Sequence, residues 1–147
     1  MTNLKFEFMA IKFNNQQLEI LDQTLIPQQE KWLRMTGIDE VSEAIVQLRV
    51  RGAPLIGVAA AAFLVARCQE EATTEEIADE IAQLKKTRPT AVNLFNGLKL
   101  IESGLSAGGV VGAKNAAINH IENEINIHKK IIKIGAHQIQ NLSLIHI

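Results

Sequence analysis

The chain has 147 residues but only one cysteine, Cys68. A lone thiol cannot form an internal disulfide, and its place at the end of an apolar run predicts a packed, reduced side chain in a cytoplasmic setting. An excess of charge of either sign is also missing, since 15 Lys and Arg against 16 Asp and Glu leave a net charge of −1. The basic residues are spread along the chain, so there is no electrostatic footprint for nucleic acid or an anionic membrane, and neither is expected as a partner. Long apolar runs are absent too. The longest near-continuous one, Pro54 to Ala66, falls short of the roughly 20 residues that cross a bilayer. The N-terminus alternates Leu4, Lys5, Phe6, Glu7, Phe8, without the basic and apolar blocks of a signal peptide. What is present, 47% apolar residues, suffices for one core of ordinary domain size and is too hydrophobic and too neutral for disorder.

The periodicity changes once. From Leu4 to Leu21 the pattern alternates, with Leu4, Phe6 and Phe8 on one side, then Leu18 and Ile20 around Glu19. Asn14 and Asn15 offer turn chemistry between the two stretches, and a further strand is expected near Lys31 to Met35. After Gly37 the period is helical. Asp39 is the expected cap of a first helix bearing Val41, Ile45 and Leu48 on one face, stopped by the Arg51-Gly52 corner. Pro54 to about Cys68 is apolar almost all round and reads as the buried central helix. Thr73 with Glu76 three residues on matches a capping box ahead of Ile77, Ile81 and Leu84. A fourth helix from Ala91 presents Val92, Phe95, Leu98 and Ile101. Ser106-Ala107-Gly108-Gly109 reads as a flexible internal linker. A last helix carries Ile118, Ile121, Ile125, Ile132 and Ile139 as a stripe expected to pack in the core. The fold class is therefore α+β, mostly α: a small N-terminal antiparallel sheet (1–35) followed by a bundle of about five helices (37–141).

Two corners carry the chemistry. In Val50-Arg51-Gly52-Ala53-Pro54 an arginine and a glycine turn feed a proline-started helix, whose first-turn amides have no partner within the helix. Those amides, with the Arg51 guanidinium, are suited to an anion such as phosphate. The same grammar recurs at Thr87-Arg88-Pro89-Thr90, where Thr90 is the expected cap of the next helix. The alternative is that each arginine closes its turn and pairs with a surface carboxylate. Other chemistry finds little support. His120, His128 and His137 lie eight and nine residues apart, too far for one metal ion on one helix, and are expected to face solvent. Cys68 has no neighbouring base, and the acidic run from Glu70 to Glu80 reads as a solvated helix face. No metal or organic cofactor is expected.

Together, VRGAPLIGVAAA at Val50–Ala61, RPTAVNL at Arg88–Leu94 and the earlier ILDQTLIP at Ile20–Pro27 resemble the methylthioribose-1-phosphate isomerase family, from about Ile11 to Gln140. That resemblance implies a sugar phosphate as ligand and Arg51, Gly52, Ala53 and Arg88 as substrate-binding residues. It implies no cofactor, and a homodimer for the full-length protein. It also implies a Rossmann-like C-terminal domain, absent here, that supplies the catalytic cysteine and aspartate, so none of the present residues is catalytic. Leu142-Ser143-Leu144-Ile145-His146-Ile147 is the translation of a sequencing-adapter end, and 142–147 are expected to be an adapter-derived tail on a domain of 1–141. The competing readings are a ribose-1,5-bisphosphate isomerase and a non-catalytic helical interaction module related to translation initiation factor subunits.

Overall fold

The computed structural model of the chain describes residues 5–14 and 16–139. Among them are four strands and four helices, in the order β1 (Lys5–Phe8), β2 (Ile11–Asn14), β3 (Gln17–Leu21), β4 (Trp32–Met35), α1 (Ile38–Val46), α2 (Ala53–Gln69), α3 (Thr74–Thr87) and α4 (Val92–Ile139). The tail at 142–147 lies outside the described residues.

The strands form one antiparallel sheet in sequential order. Alternation puts Phe8, Ile11, Phe13, Leu18 and Ile20 in the core, with Phe13 opposite both Phe6 and Leu18 and Ile11 opposite Ile20. The sheet holds one strand more than the alternation suggested. A two-residue reversal at Met9-Ala10, with Met9 at φ 53, separates β1 from β2, a strand that the alternation had not marked. That reversal uses no glycine or asparagine, so the sequence does not announce it.

α1 ends earlier than expected. Leu48 turns left-handed at φ 58, Arg49 N–H donates to Ala44 O at 2.9 Å, and the helix stops at Val46 rather than at Arg51. Asp39 is not its cap: the Glu40 carboxylate accepts from Thr36 N–H at 2.6 Å, while Asp39 accepts from Gln83. α2 is the central helix, buried from Leu55 to Ala66. α3 opens on the expected capping box, Glu76 N–H donating to Thr73 Oγ1 at 3.2 Å and Thr73 N–H to Glu76 Oε2 at 2.7 Å. Its face of Ile77, Ile81 and Leu84 is buried.

The expected fourth and fifth helices are the two arms of α4. Gly108 and Gly109 break it, Gly109 at φ 59 and ψ −150, a conformation open to glycine. Rather than a flexible linker, this is a tight reversal. A methyl group placed on Gly104 would lie 2.6 Å from Gly112 O, and one on Gly97 would lie 2.7 Å from His120 Nε2. Positions 97 and 120, then 104 and 112, thus face each other, so the arms run antiparallel. The first arm buries Leu94, Leu98, Ile101 and Leu105, leaving Val92 exposed.

The same register limits the isoleucine stripe. With Gly97 opposite His120, the first arm runs out opposite about residue 125, and the second arm continues past it. Ile121 is buried and Ile125 packs at the margin of the core, but Ile127, Ile131, Ile132 and Ile134 are exposed. The stripe packs only where a partner arm exists; Ile139 lies beyond the described side chains.

Candidate functional site

The Arg51 corner is held by the ILDQ segment, whose Gln23 lies 28 residues earlier. Asp22, only 2% exposed, accepts from Thr24 N–H at 3.0 Å, Thr24 Oγ1 at 2.6 Å and Arg49 Nη1 at 2.7 Å. Arg49 also grips Glu43 through Nε and Nη2, both at 2.8 Å. Burial pushes the Asp22 carboxyl up, but the hydrogen bonds from Thr24 and Arg49 outweigh it and hold the group below the usual carboxylate range. Gln23 N–H donates to Arg49 O at 2.9 Å, Arg51 N–H donates to Gln23 Oε1 at 2.5 Å, and the Arg51 guanidinium donates through Nη2 to Gln23 O. Arg51 does close a turn, onto a backbone carbonyl instead of a carboxylate. Its side chain is exposed and uses one of five N–H groups there.

Gly52 stands at φ 107 and ψ 131, which an L side chain rarely adopts, and no side-chain cap covers the start of α2. Gly52 O accepts from Ile56 N–H, whereas the amides of Gly52, Ala53 and Leu55 have no acceptor among the described residues. Unpaired amides at the start of a helix, next in sequence to an arginine, suit an anion.

Arg88 is the C-cap of α3, half-buried and without a hydrogen bond or ion pair for its guanidinium among the described residues. Ala91 N–H donates to Arg88 O at 3.0 Å and α4 starts at Val92, so Thr90 does not cap it through its side chain. Arg51 and Arg88 share no contact or lined recess among those described. They do open at one end of the same helix pair: a methyl group on Gly57, about 6 Å along α2 from Ala53, would lie 3.3 Å from Asn93 O in the first turn of α4.

His120 lies directly behind this crossing. It is 9% exposed, against the expectation of a solvent-facing ring, because Gly57 and Gly97 leave space for it between the helices. Its Nε2 has no partner among the described residues, and burial lowers its pKa. The sequence gives no sign of this, since the two glycines lie 23 and 63 residues away. His128 meets Phe8 edge-on, with ring centroids 5.0 Å apart, and His137 is exposed. Among the described residues no group of three or more His, Cys, Asp or Glu is placed to hold a metal ion, and no helix is long and apolar enough to cross a membrane.

The lone thiol is not poised as a nucleophile. Burial pushes the Cys68 thiol up to about 11, so it stays protonated at neutral pH. The acidic run on α3 is mostly exposed, as read, except Glu80, which pairs with Arg67 at 2.6 Å and whose carboxyl burial pushes up. Two hollows flank the ILDQ segment. The larger, about 550 Å³, contains the already paired Asp22, Arg49 and Glu43. The other, about 430 Å³, is lined by Leu21, Gln23, Ile26 and Arg51.

A helical domain on a four-stranded sheet, with an arginine-glycine corner opening its central helix, places the chain among known proteins. It belongs to the Initiation factor 2 subunit family, whose model matches residues 49–146. The family resemblance read from the motifs holds in the relatives. Methylthioribose-1-phosphate isomerase of Dehalococcoides mccartyi is 39% identical over 89% of this chain and 43% of its own length. That of Yersinia enterocolitica is 30% identical over 95% and 41%. Among solved structures, 5-methylthioribose 1-phosphate isomerase from Pyrococcus horikoshii superposes with a TM-score of 0.66 at 29% identity, covering 86% of this chain and 37% of that one. The delta subunit of translation initiation factor eIF-2B from A. fulgidus gives 0.63, also at 29% identity, over 80% and 36%. The chain thus spans about two fifths of the length of the relatives it matches.

Proposed function

We propose that this chain is the substrate-binding part of an S-methyl-5-thioribose-1-phosphate isomerase, which converts 5-methylthioribose 1-phosphate to 5-methylthioribulose 1-phosphate. The observation that carries the reading is the corner at Arg51-Gly52-Ala53: a positive-φ glycine, unpaired amides and a guanidinium fixed by Gln23, at the end of the helix crossing where Arg88 also emerges. Arg51 and the Gly52 and Ala53 amides hold the phosphate, and Arg88 approaches the same ligand from the second corner. Guanidinium geometry matches phosphate oxygens in a two-pronged fashion, which lysine does not reproduce.

The share of catalysis borne here is positioning. C1 of the substrate carries the phosphate, so the sugar cannot open to a free aldehyde, and the site must hold an unusual intermediate away from water. The groups that move the proton or hydride between adjacent carbons belong to a Rossmann-like C-terminal domain, the partner of this one in a homodimeric cytoplasmic enzyme that needs no cofactor. By itself the chain binds the sugar phosphate weakly and does not turn it over. Incubating the purified chain with 5-methylthioribose 1-phosphate and following ketose formation tests this: no product is expected, and measurable turnover would refute it.

One observation favours a second reading. The overshooting arm of α4 exposes Ile127, Ile131 and Ile134 at offsets of four and seven, a face suited to another protein surface. With the likeness to the eIF-2B delta subunit, this supports a non-catalytic interaction module. A chain that self-associates and ignores sugar phosphates would favour it.

A further inference from the structure

We infer that His120 is a positioning residue for sugar-phosphate binding: its neutral ring sets the spacing of the helices that carry the Arg51 and Arg88 corners, so that a charged ring and a ligand gripped from both corners oppose each other. This deepens the proposed function and rests on the reading that the two arginines hold one ligand.

Three stretches of helix meet at the ring. A methyl group on Gly97 would lie 2.7 Å from Nε2, 3.1 Å from Cδ2 and 3.3 Å from Cε1, and one on Gly57 would lie 3.3 Å from Nε2. The Nε2 edge of the imidazole thus fills the room that two absent side chains leave, and it acts as a spacer between α2 and the first arm of α4. Gly57 is six residues after Arg51, and Asn93, at the same contact, is five after Arg88. Packed helices shift as units, so a change of spacing here reaches both corners.

A charge on the ring finds little support at this contact. α2 from Ala53 to Ala66 and the first arm from Val92 to Leu98, the two elements that meet the Nε2 edge, carry no titratable side chain. Burial disfavours the charged form, and Glu124, one turn along the same arm as His120, offsets this only in part. A charged ring must bear a proton on Nε2, which has no partner among the described residues. The backbone oxygen at the contact is Asn93 O, 3.3 Å from the same methyl position on Gly57. For Nε2–H to bond it, or for water to reach Nε2, the ring must leave its gap or the helices must part. Either movement displaces the first turn of α4 against α2, and Arg88 against Arg51. By reciprocity, a ligand that holds the corners at their native spacing makes the ring harder to protonate. A phosphate acting through its charge alone would do the opposite.

The test is an NMR titration of the His120 ring with pH in the 147-residue chain, free and saturated with 5-methylthioribose 1-phosphate. Saturation is expected to lower the pKa of the ring by about 0.7 or more, equivalent to a coupling of about fivefold. The same coupling is read in affinity. Below the pKa of the ring in the free chain, the native protein is expected to lose about fivefold in affinity beyond what the phosphate's own titration near pH ~6 causes, and His120→Gln, whose amide does not titrate, to lose only the latter. The ring titration uses the native chain and stands even if His120→Gln does not fold. A pKa that bound ligand leaves unchanged or raises, or the same pH profile of binding in both proteins, would overturn the inference while leaving the Arg51 reading in place. Failure of the sugar phosphate to bind at any pH would overturn both.

Discussion

Arg49 Nη1 stands 2.7 Å from Asp22 Oδ2, and through this pair the early ILDQ segment is clamped to the turn that presents Arg51. Arg49 had no place in the sequence-derived site, yet it makes the carboxylate pair that the alternative reading gave to Arg51. Asp22 is buried, whereas the Arg49 side chain is 32% exposed. Removing the acid strands a partly buried charge and two Thr24 hydrogen bonds.

Asp22→Ala is therefore expected to cost roughly 2–3 kcal/mol, below the 3–5 kcal/mol of a fully buried pair because water reaches the arginine. Urea unfolding of the two proteins checks this. Because the native Asp22 pKa is depressed, its contribution is present above the ordinary carboxylate value of 3.8 and is lost as pH falls through the lower native value. The Ala variant should lack that part of the acid limb.

His120 predicts a second pH dependence. Its native pKa lies below 6.5 because burial disfavours the charged ring, so the unfolded chain binds more protons as the pH drops. Stability should decline as pH falls below about 6.5 and level off below the native pKa. In His120→Leu that slope should disappear. Thermal unfolding of both proteins between pH 5 and 7.5 measures it, and equal slopes would contradict the assignment.

The reversal in α4 depends on two glycines in backbone contact. Gly112→Ala would drive its methyl group into Gly104 O, and relief requires the arms to part. A loss of about 1–3 kcal/mol is expected despite the better helix propensity of alanine. Gly135→Ala, where no atom lies within 4 Å of the added methyl, should be neutral or stabilising by up to about 1 kcal/mol. Denaturant midpoints for the two variants should move in opposite directions or differ by at least this margin.

Local chemistry was the legible part of the sequence. Pro54 ahead of an unbroken apolar run identified α2, Thr73 with Glu76 identified the start of α3, and the turn read at Arg51-Gly52 is where Gly52 takes a positive φ. Features that depend on distant partners were not legible. The isoleucine stripe signals an apolar face but not where the facing arm ends, so Ile132 was expected inside and lies outside. His120 is buried only because Gly57 and Gly97 meet around it. β2 has just Ile11 and Phe13 as inward residues, and its Met9-Ala10 turn carries no turn-forming residue. The Asp22–Arg49 pair spans 27 positions that no periodicity connects.

The central claim, that the corner at Arg51 holds a sugar phosphate, is tested most directly by following backbone amides during titration with 5-methylthioribose 1-phosphate. The account predicts saturable shifts at Gly52, Ala53 and Leu55, and affinity about ten- to a hundredfold weaker in Arg51→Lys, the range for losing charge-assisted hydrogen bonds. Shifts confined to other residues, or an affinity unchanged by Arg51→Lys, would contradict it.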